Sequence, residues 1–89
     1  MMFEAIDVWR RSGKKCLVRY RCFRLIPDGG YCVQSADAYG ASDSPTRAAE
    51  YDAQFIELLR GHRPDERAGV FTTLEEAIRA FDEDFGNEY

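Results

Sequence analysis

Residues 16–39 read CLVRYRCFRLIPDGGYCVQSADAY, and this stretch decides the fold. Two arms rich in strand-forming residues, 16–26 and 31–39, flank the turn sequence PDGG at 27–30. Proline presets the backbone for a turn, and Asp-Gly tolerates the positive φ values that tight hairpins require. The stretch therefore predicts a β-hairpin. Its first arm lacks glycine and proline, which is typical of an interior strand.

A further strand is predicted upstream of the hairpin. Residues 2–9 mix apolar and acidic residues in a strand-like way, and the polar, glycine-bearing residues 11–15 follow as a turn. The result is a three-stranded antiparallel meander. A hairpin loop of two or four residues puts Ile26 opposite Tyr31 and divides the side chains between two faces. The predicted core face holds Val18, Tyr20, Cys22, Ile26, Tyr31, Val33 and Tyr39. The predicted outward face holds Arg19, Arg21, Phe23, Gln34 and Ala36.

Two amphipathic helices are predicted after the strands. Ser44 is a candidate cap, Pro45 suits the first helical position, and the helix covers about residues 46–60 before Gly61. The second helix carries an apolar stripe at helical spacing and ends at Gly86. Its stripe is Leu74, Ala77, Ile78, Phe81 and Phe85. A capping box at its start pairs Thr72 with Glu75 or Thr73 with Glu76.

The order of the elements indicates the fold class. Residues 62–69 are predicted as a loop, and residues 70–71 as a short fourth strand. Strands first and helices later are typical of an α+β fold, here in the order βββα(β)α. We expect one domain over residues 1–89, with both helices packed on one face of the sheet.

Composition limits the class of protein. Apolar residues make up 45% of the 89 residues, which suffices for a modest core. No stretch has the length and apolarity of a transmembrane helix, and the N-terminal residues lack the order of a secretory signal. The three cysteines are irregularly spaced, which favours free, buried thiols over disulfides. These features predict a cytoplasmic protein without a membrane partner.

Charge is divided between two parts of the chain. Residues 1–26 carry seven basic and two acidic side chains, whereas residues 27–89 carry five basic and fourteen acidic ones. The net charge is +5 in the first part and −9 in the second, and −4 overall. Such a chain either presents two faces of opposite sign or neutralises itself across an internal interface.

Catalytic and metal-binding patterns are weak. Cys16, Cys22, Cys32 and His62 are nominally a zinc set, but they lack the paired spacing of structural zinc sites. In the predicted register, Cys16 and Cys22 share a face and Cys32 lies on the other one. The single histidine makes a cysteine nucleophile at Cys16 or Cys22 a weak hypothesis. No phosphate-binding loop or nucleophile elbow occurs in the sequence. We expect no enzyme activity, no cofactor and no metal site.

Protein binding is the function that these features favour. The predicted binding residues are the acidic side chains of the second helix, Glu75, Glu76, Asp82, Glu83 and Asp84. An exposed edge, on the first or third strand, offers a second surface for a partner or another copy, so a homodimer is compatible with the sequence. Adaptors, immunity or inhibitor proteins, and bacterial or phage regulators such as anti-CRISPR proteins fit this description.

Binding of single-stranded nucleic acid is the alternative. An outward sheet face with an aromatic ring between cations resembles a base-stacking platform with phosphate contacts. The residues that would form it are Lys14, Lys15, Arg19, Arg21 and Phe23. The overall acidity of the chain argues against this alternative, since nucleic-acid-binding domains usually carry a strongly basic surface.

Overall fold

A computed structural model describes residues 2–40, 43–67 and 69–85. Its elements are β1 (Met2–Ser12), β2 (Cys16–Ile26), β3 (Tyr31–Gly40), α1 (Pro45–Gly61), α2 (Pro64–Arg67) and α3 (Leu74–Phe85). The strands form one antiparallel sheet in the order β1-β2-β3. The α+β fold and the three-stranded meander are therefore confirmed. The bounds of β2 are those that the sequence predicts.

The turn between β2 and β3 holds the predicted hairpin together. The Gly29 amide donates to the Leu25 carbonyl at 2.8 Å, and the Leu25 amide donates to the Gly30 carbonyl at 3.1 Å. Gly30 has a φ of +90°, and a Cβ placed there would lie 2.6 Å from a methyl carbon of Val70. Only glycine meets both conditions, because other residues rarely adopt this φ and would clash.

A β-bulge changes the predicted register of the hairpin. Arg24 lies opposite Tyr31 and Cys22 opposite Val33, whereas Arg21 lies opposite Ser35, so Gln34 is the extra residue. A bulge reverses which side chains face each side of the strand beyond it. The predicted pairing of Ile26 with Tyr31 is also wrong, because the connection is longer than predicted and Arg24 is the partner of Tyr31. The bulge itself makes two face assignments wrong: Tyr39 contacts Tyr51 of α1, and Ala36 packs on the opposite side.

The helices lie on opposite faces of the sheet, so the prediction of one shared face is wrong. On one face, α3 supplies Ala77 and Ile78 to a core cluster built around Val18 and Tyr20. On the other face, α1 supplies Phe55 and Leu59 to a cluster of Phe23, Leu25 and Cys32. The sheet therefore has two covered faces, and β2 and β3 each bury residues on both sides, whereas β1 contributes only partly buried ones.

The ends of the helices follow ordinary capping chemistry. The Glu76 amide donates to the Thr73 hydroxyl oxygen at 3.2 Å, so Thr73 is the cap of α3. Pro45 occupies the first turn of α1, although the Ser44 side chain makes no capping hydrogen bond. The predicted loop at 62–69 contains the single turn α2, and the stop predicted at Gly86 lies outside the described residues.

The predicted fourth strand is reduced to one bridge. Tyr31 and Phe71 exchange two backbone hydrogen bonds of 2.8 Å each on the outer edge of β3. None of the helices within the described ranges is long and apolar enough to cross a membrane.

Candidate protein-binding groove

A groove of about 600 Å³ lies between β1 and α3. Its apolar lining comes from Val8, Leu74 and Ile78, and the remaining lining is charged. The charged residues are Arg10, Glu75, Arg79, Asp82 and Glu83. We refer to this feature as the β1–α3 groove. An apolar lining with a few convergent charges is the usual composition of a binding site in a protein surface.

The helical repeat of α3 explains why apolar and charged residues meet here. Leu74 and Ile78 are four residues apart and belong to the stripe that packs towards the sheet. Glu75 and Arg79 follow one position later, so they lie beside this stripe at the edge of the helix. The Arg79 guanidinium donates to the Glu75 carboxylate at 3.0 Å, and both side chains are exposed beside the groove.

Asp82 is anchored to the sheet. The Tyr20 hydroxyl donates to its carboxylate oxygens at 3.0 and 3.2 Å, and Arg10 of β1 lies 3.5 Å from the same carboxylate. The Arg10 guanidinium also lies over the Tyr20 ring, 5.6 Å from its centre. Only 17% of the Asp82 side chain is exposed. Asp82 therefore holds α3 against β1 and β2 at one end of the groove.

The predicted acidic residues divide into three groups. Glu75, Asp82 and Glu83 line the β1–α3 groove. Glu76 serves the start of the helix, because its carboxylate accepts a hydrogen bond of 3.1 Å from the Thr72 hydroxyl. Asp84 lines a separate cavity of about 130 Å³ beside Phe71 and Phe85. The acidic helix is thus not a single uniform surface.

The structure contradicts the predicted stacking platform. Phe23 is 1% exposed, and its ring stacks on Phe55 of α1 with the ring centres 5.6 Å apart. Arg21 is 4% exposed and pairs with Asp52 at 2.5 Å and with Asp37 at 3.4 Å. The prediction that this face looks outward is wrong, because α1 covers it.

The other three residues of that platform lie elsewhere. Arg19 pairs with Asp7 at 2.7 Å and with Asp52 at 3.5 Å. Lys14 and Lys15 lie in the exposed turn after β1, where they line a shallow basin with Arg11 and Tyr39. The basic residues of β2 are therefore neutralised within the molecule, whereas those of the turn face solvent.

Two groove residues had no signal in the sequence. Val8 and Arg10 belong to β1, and their part in the groove depends on the placement of α3 across that strand. Asp52, the partner of Arg21, was also missed. It lies on the face of α1 that the helical periodicity assigned to neither core nor solvent. Alternation in β1 and periodicity in α3 each locate a face, but neither locates the contact between the two elements.

The cysteines occupy separate environments. Cys22 belongs to the core on the α3 side, Cys32 to the core on the α1 side, and all three thiols are free. Burial, with a smaller contribution from Cys32, raises the pKa of Cys22 to about 12. Burial, with a smaller contribution from Asp65, raises the pKa of Cys32 to about 11. No group of three or more metal-ligating side chains lies together in the described part of the chain.

Thiol labelling tests this arrangement. At about pH 8 we expect one of the three cysteines to react within minutes with a disulfide reagent, because only Cys16 is partly exposed. Cys16→Ser should leave the folded protein almost unlabelled, whereas both proteins should label fully in guanidinium. Rapid labelling of folded Cys16→Ser would show that Cys22 or Cys32 is accessible and would reopen the thiol-nucleophile hypothesis.

No family model, no curated protein and no solved structure matches the chain.

Proposed function

We propose that this chain is a non-enzymatic protein-binding domain whose β1–α3 groove takes a short partner segment. That segment carries an apolar side chain flanked by lysine or arginine. The observation that supports the proposal is the groove itself, where the apolar side chains of Val8, Leu74 and Ile78 adjoin carboxylates. Adaptors, immunity or inhibitor proteins, and phage-type regulators such as anti-CRISPR proteins act through contacts of this kind.

The apolar lining supplies the affinity. Leu74 and Ile78 pack with one side against the sheet core, and their remaining surface lines the groove together with Val8. Burying one medium-sized apolar side chain of a partner there contributes roughly 1.5–3 kcal/mol before the costs of association. A segment with a leucine, isoleucine or methionine at its centre fits this lining.

The charges supply the selectivity. Residues 74–85 of α3 carry five acidic side chains and one basic one. Within the groove, Arg10 and Arg79 already pair with Asp82 and Glu75, and no ion pair joins Glu83 to another described residue. The lining thus has carboxylate in excess, which favours a partner with basic residues on either side of its apolar anchor. Proteins that bind nucleic acid carry such segments in their phosphate-binding surfaces.

A peptide selection tests the proposal directly. A displayed library of random peptides is selected on the wild-type domain, and the enriched peptides are measured by fluorescence anisotropy. We expect a consensus with one apolar position between lysines or arginines, and affinity that weakens with rising ionic strength. Enriched peptides without basic residues, or none at all, would contradict the proposal.

A matched pair of charge reversals locates the site. Glu75→Lys with Glu83→Lys reverses two groove carboxylates, and we expect the Kd of a selected peptide to rise about tenfold or more, because attraction becomes repulsion. Glu50→Lys with Glu57→Lys makes the same change on α1, which packs on the opposite sheet face. This control should leave the Kd within about twofold. Equal losses in the two variants would place peptide binding outside the groove.

A further inference from the structure

The outer side of β1 is an open edge. β1 is 11 residues long and pairs with β2 alone, and no other described segment bonds to its outer side. The opposite edge of the sheet differs, since Phe71 bonds to Tyr31 of β3. A long open edge pairs readily with another strand unless its side chains prevent it. The side chains of β1 therefore decide which strand can join.

The direction of the free backbone groups follows from the sheet. Tyr31 directs its amide and carbonyl to Phe71, so Arg24, which lies opposite it, directs its own groups to β1. Arg24 lies opposite Glu4, so Glu4 bonds inward to β2. The backbone groups of alternate residues then point to the outer side. The outward-pointing residues are Phe3, Ala5, Asp7, Trp9 and Arg11.

The charges along β1 are ordered by sign. Glu4 and Asp7 lie in its first half, and Arg10 and Arg11 lie in its second half. A strand with this order is complementary to itself only when a second copy runs antiparallel. A parallel second copy in the same register instead places the acidic halves of the two strands side by side, and likewise the basic halves. Charge thus favours the antiparallel direction for a second copy.

We propose that a second copy of this chain joins through β1, antiparallel, with Asp7 of each copy opposite the other. In this register Glu4 faces the second copy's Arg10, and Ile6 faces the second copy's Val8. Ile6 and Val8 both pack on the α3 side, so the apolar pair continues the existing core cluster across the new contact. The two sheets become one sheet with six strands.

Neighbouring registers fit less well. A shift by one residue places inward-bonding residues opposite outward-bonding ones and loses the hydrogen bonds. A shift by two in either direction sets Ile6 against Arg10, or Glu4 against Val8, and separates the opposite charges. The central pair of Asp7 residues is tolerated, because each carboxylate is paired with Arg19 at 2.7 Å within its own copy.

The new contacts extend ion pairs that already exist. Glu4 bonds to Arg24 at 2.6 Å, and Arg10 lies 3.5 Å from Asp82. Across the contact, Glu4 and the second copy's Arg10 connect these two ion pairs into one network, in which basic and acidic side chains alternate. The two β1–α3 grooves then lie on the same face of the joined sheet. Each groove is lined within one copy. Val8 and Arg10 belong both to the groove and to the new contact, so self-association has to be measured without any peptide.

Sedimentation velocity without any peptide tests self-association. Across a concentration series that reaches millimolar protein, we expect the wild type to shift from monomer to dimer. Ala5→Pro removes an outward amide at an exposed edge position, where proline leaves the fold intact, and should weaken self-association at least tenfold. Ala5→Ser keeps the amide and should behave like the wild type. A wild type that stays monomeric, or a folded Ala5→Pro that dimerises as well as Ala5→Ser, would overturn the proposal.

A mixing experiment tests the register. Glu4→Arg alone sets two arginines against each other, and Arg10→Glu alone sets two glutamates against each other, so each variant should be monomeric. Mixed together, one of each forms two opposite-charge pairs, and a heterodimer should appear. A heterodimer in the mixture cannot result from misfolding, because misfolded variants would not regain dimerisation when mixed. Circular dichroism first shows that both variants are folded, since Arg10 also pairs with Asp82. Full dimerisation of each folded variant alone, or no recovery in their mixture, would exclude this register.

Discussion

Phe23→Ala should destabilise the domain by about 3–5 kcal/mol, the usual cost of emptying a buried phenylalanine site. The Phe23 ring is 1% exposed and lies between Phe55 of α1, stacked at 5.6 Å, and Phe3 of β1, edge-on at 5.9 Å. These are ring-centre distances. Removing the ring leaves a cavity between three elements, and a domain of this size has roughly 5–10 kcal/mol of stability in total.

Urea unfolding monitored by circular dichroism measures the loss, and Phe85→Ala is the control. Phe85 is 61% exposed and contacts Phe81 of the same helix, so its loss should cost less than about 1 kcal/mol. The comparison separates the burial of a ring from the removal of any aromatic residue. A Phe23→Ala loss no greater than that of Phe85→Ala would mean that α1 does not cover this face.

The burial of Phe23 is a feature that the sequence did not predict. β2 was predicted with its true bounds because strand formers, a glycine-free core and a turn signal agree over residues 16–30. The alternation of side chains along β2 was also predicted correctly, since Arg19, Arg21 and Phe23 share a face. That face was nevertheless predicted to look outward, whereas α1 covers it. The carboxylates that allow the burial of the two arginines, Asp37 and Asp52, come from β3 and α1 and are not visible in the β2 sequence.

The helices show the same limit. The stripe of α3 follows from local spacing, and it packs on the sheet except for Phe85, which is exposed. Of the two predicted capping residues, Thr72 and Thr73, the structure selects Thr73. The side of the sheet on which each helix lies depends on the path of the chain between β3 and α1, which leaves no local pattern. The bulge at Gln34 likewise has no composition signal, and it moved Tyr39 to the α1 side.

The candidate site was predicted in part. Glu75, Asp82 and Glu83 were chosen for their charge, and they do line the groove. Their roles differ in a way that charge alone does not reveal, since Asp82 is tied to Tyr20 and Arg10. Reversing Asp82 would therefore disturb the fold together with any binding. The binding test above changes only Glu75 and Glu83 for this reason.

Arg21→Met should destabilise the domain by roughly 1–3 kcal/mol near neutral pH, because it leaves the partly buried Asp37 carboxylate without its partner. The guanidinium is held by Asp52 and Asp37 and lies over the Phe55 ring, 4.7 Å from its centre. Methionine keeps the apolar stem, so the loss reports the charge and its hydrogen bonds. Arg47→Met is the control, since Arg47 is exposed and pairs with Asp43 at 3.9 Å. The control should keep nearly all of the wild-type stability.

The loss caused by Arg21→Met should shrink as pH falls. Burial raises the pKa of Asp37 above its ordinary value of 3.8, and Arg21 opposes that rise. Without Arg21 the pKa of Asp37 rises further, so stability is greatest where Asp37 is protonated and is lost as pH increases through this higher pKa. The hydrogen bond from Arg21 lowers the pKa of Asp52, and the resulting stabilisation of the wild type is present above pH 3.8 and is lost as pH falls.

Both effects make the difference in stability between variant and wild type larger at about pH 7 than at about pH 4. Urea unfolding at both values measures it, and a difference that is constant or grows towards acid would show that Arg21 does not hold these carboxylates.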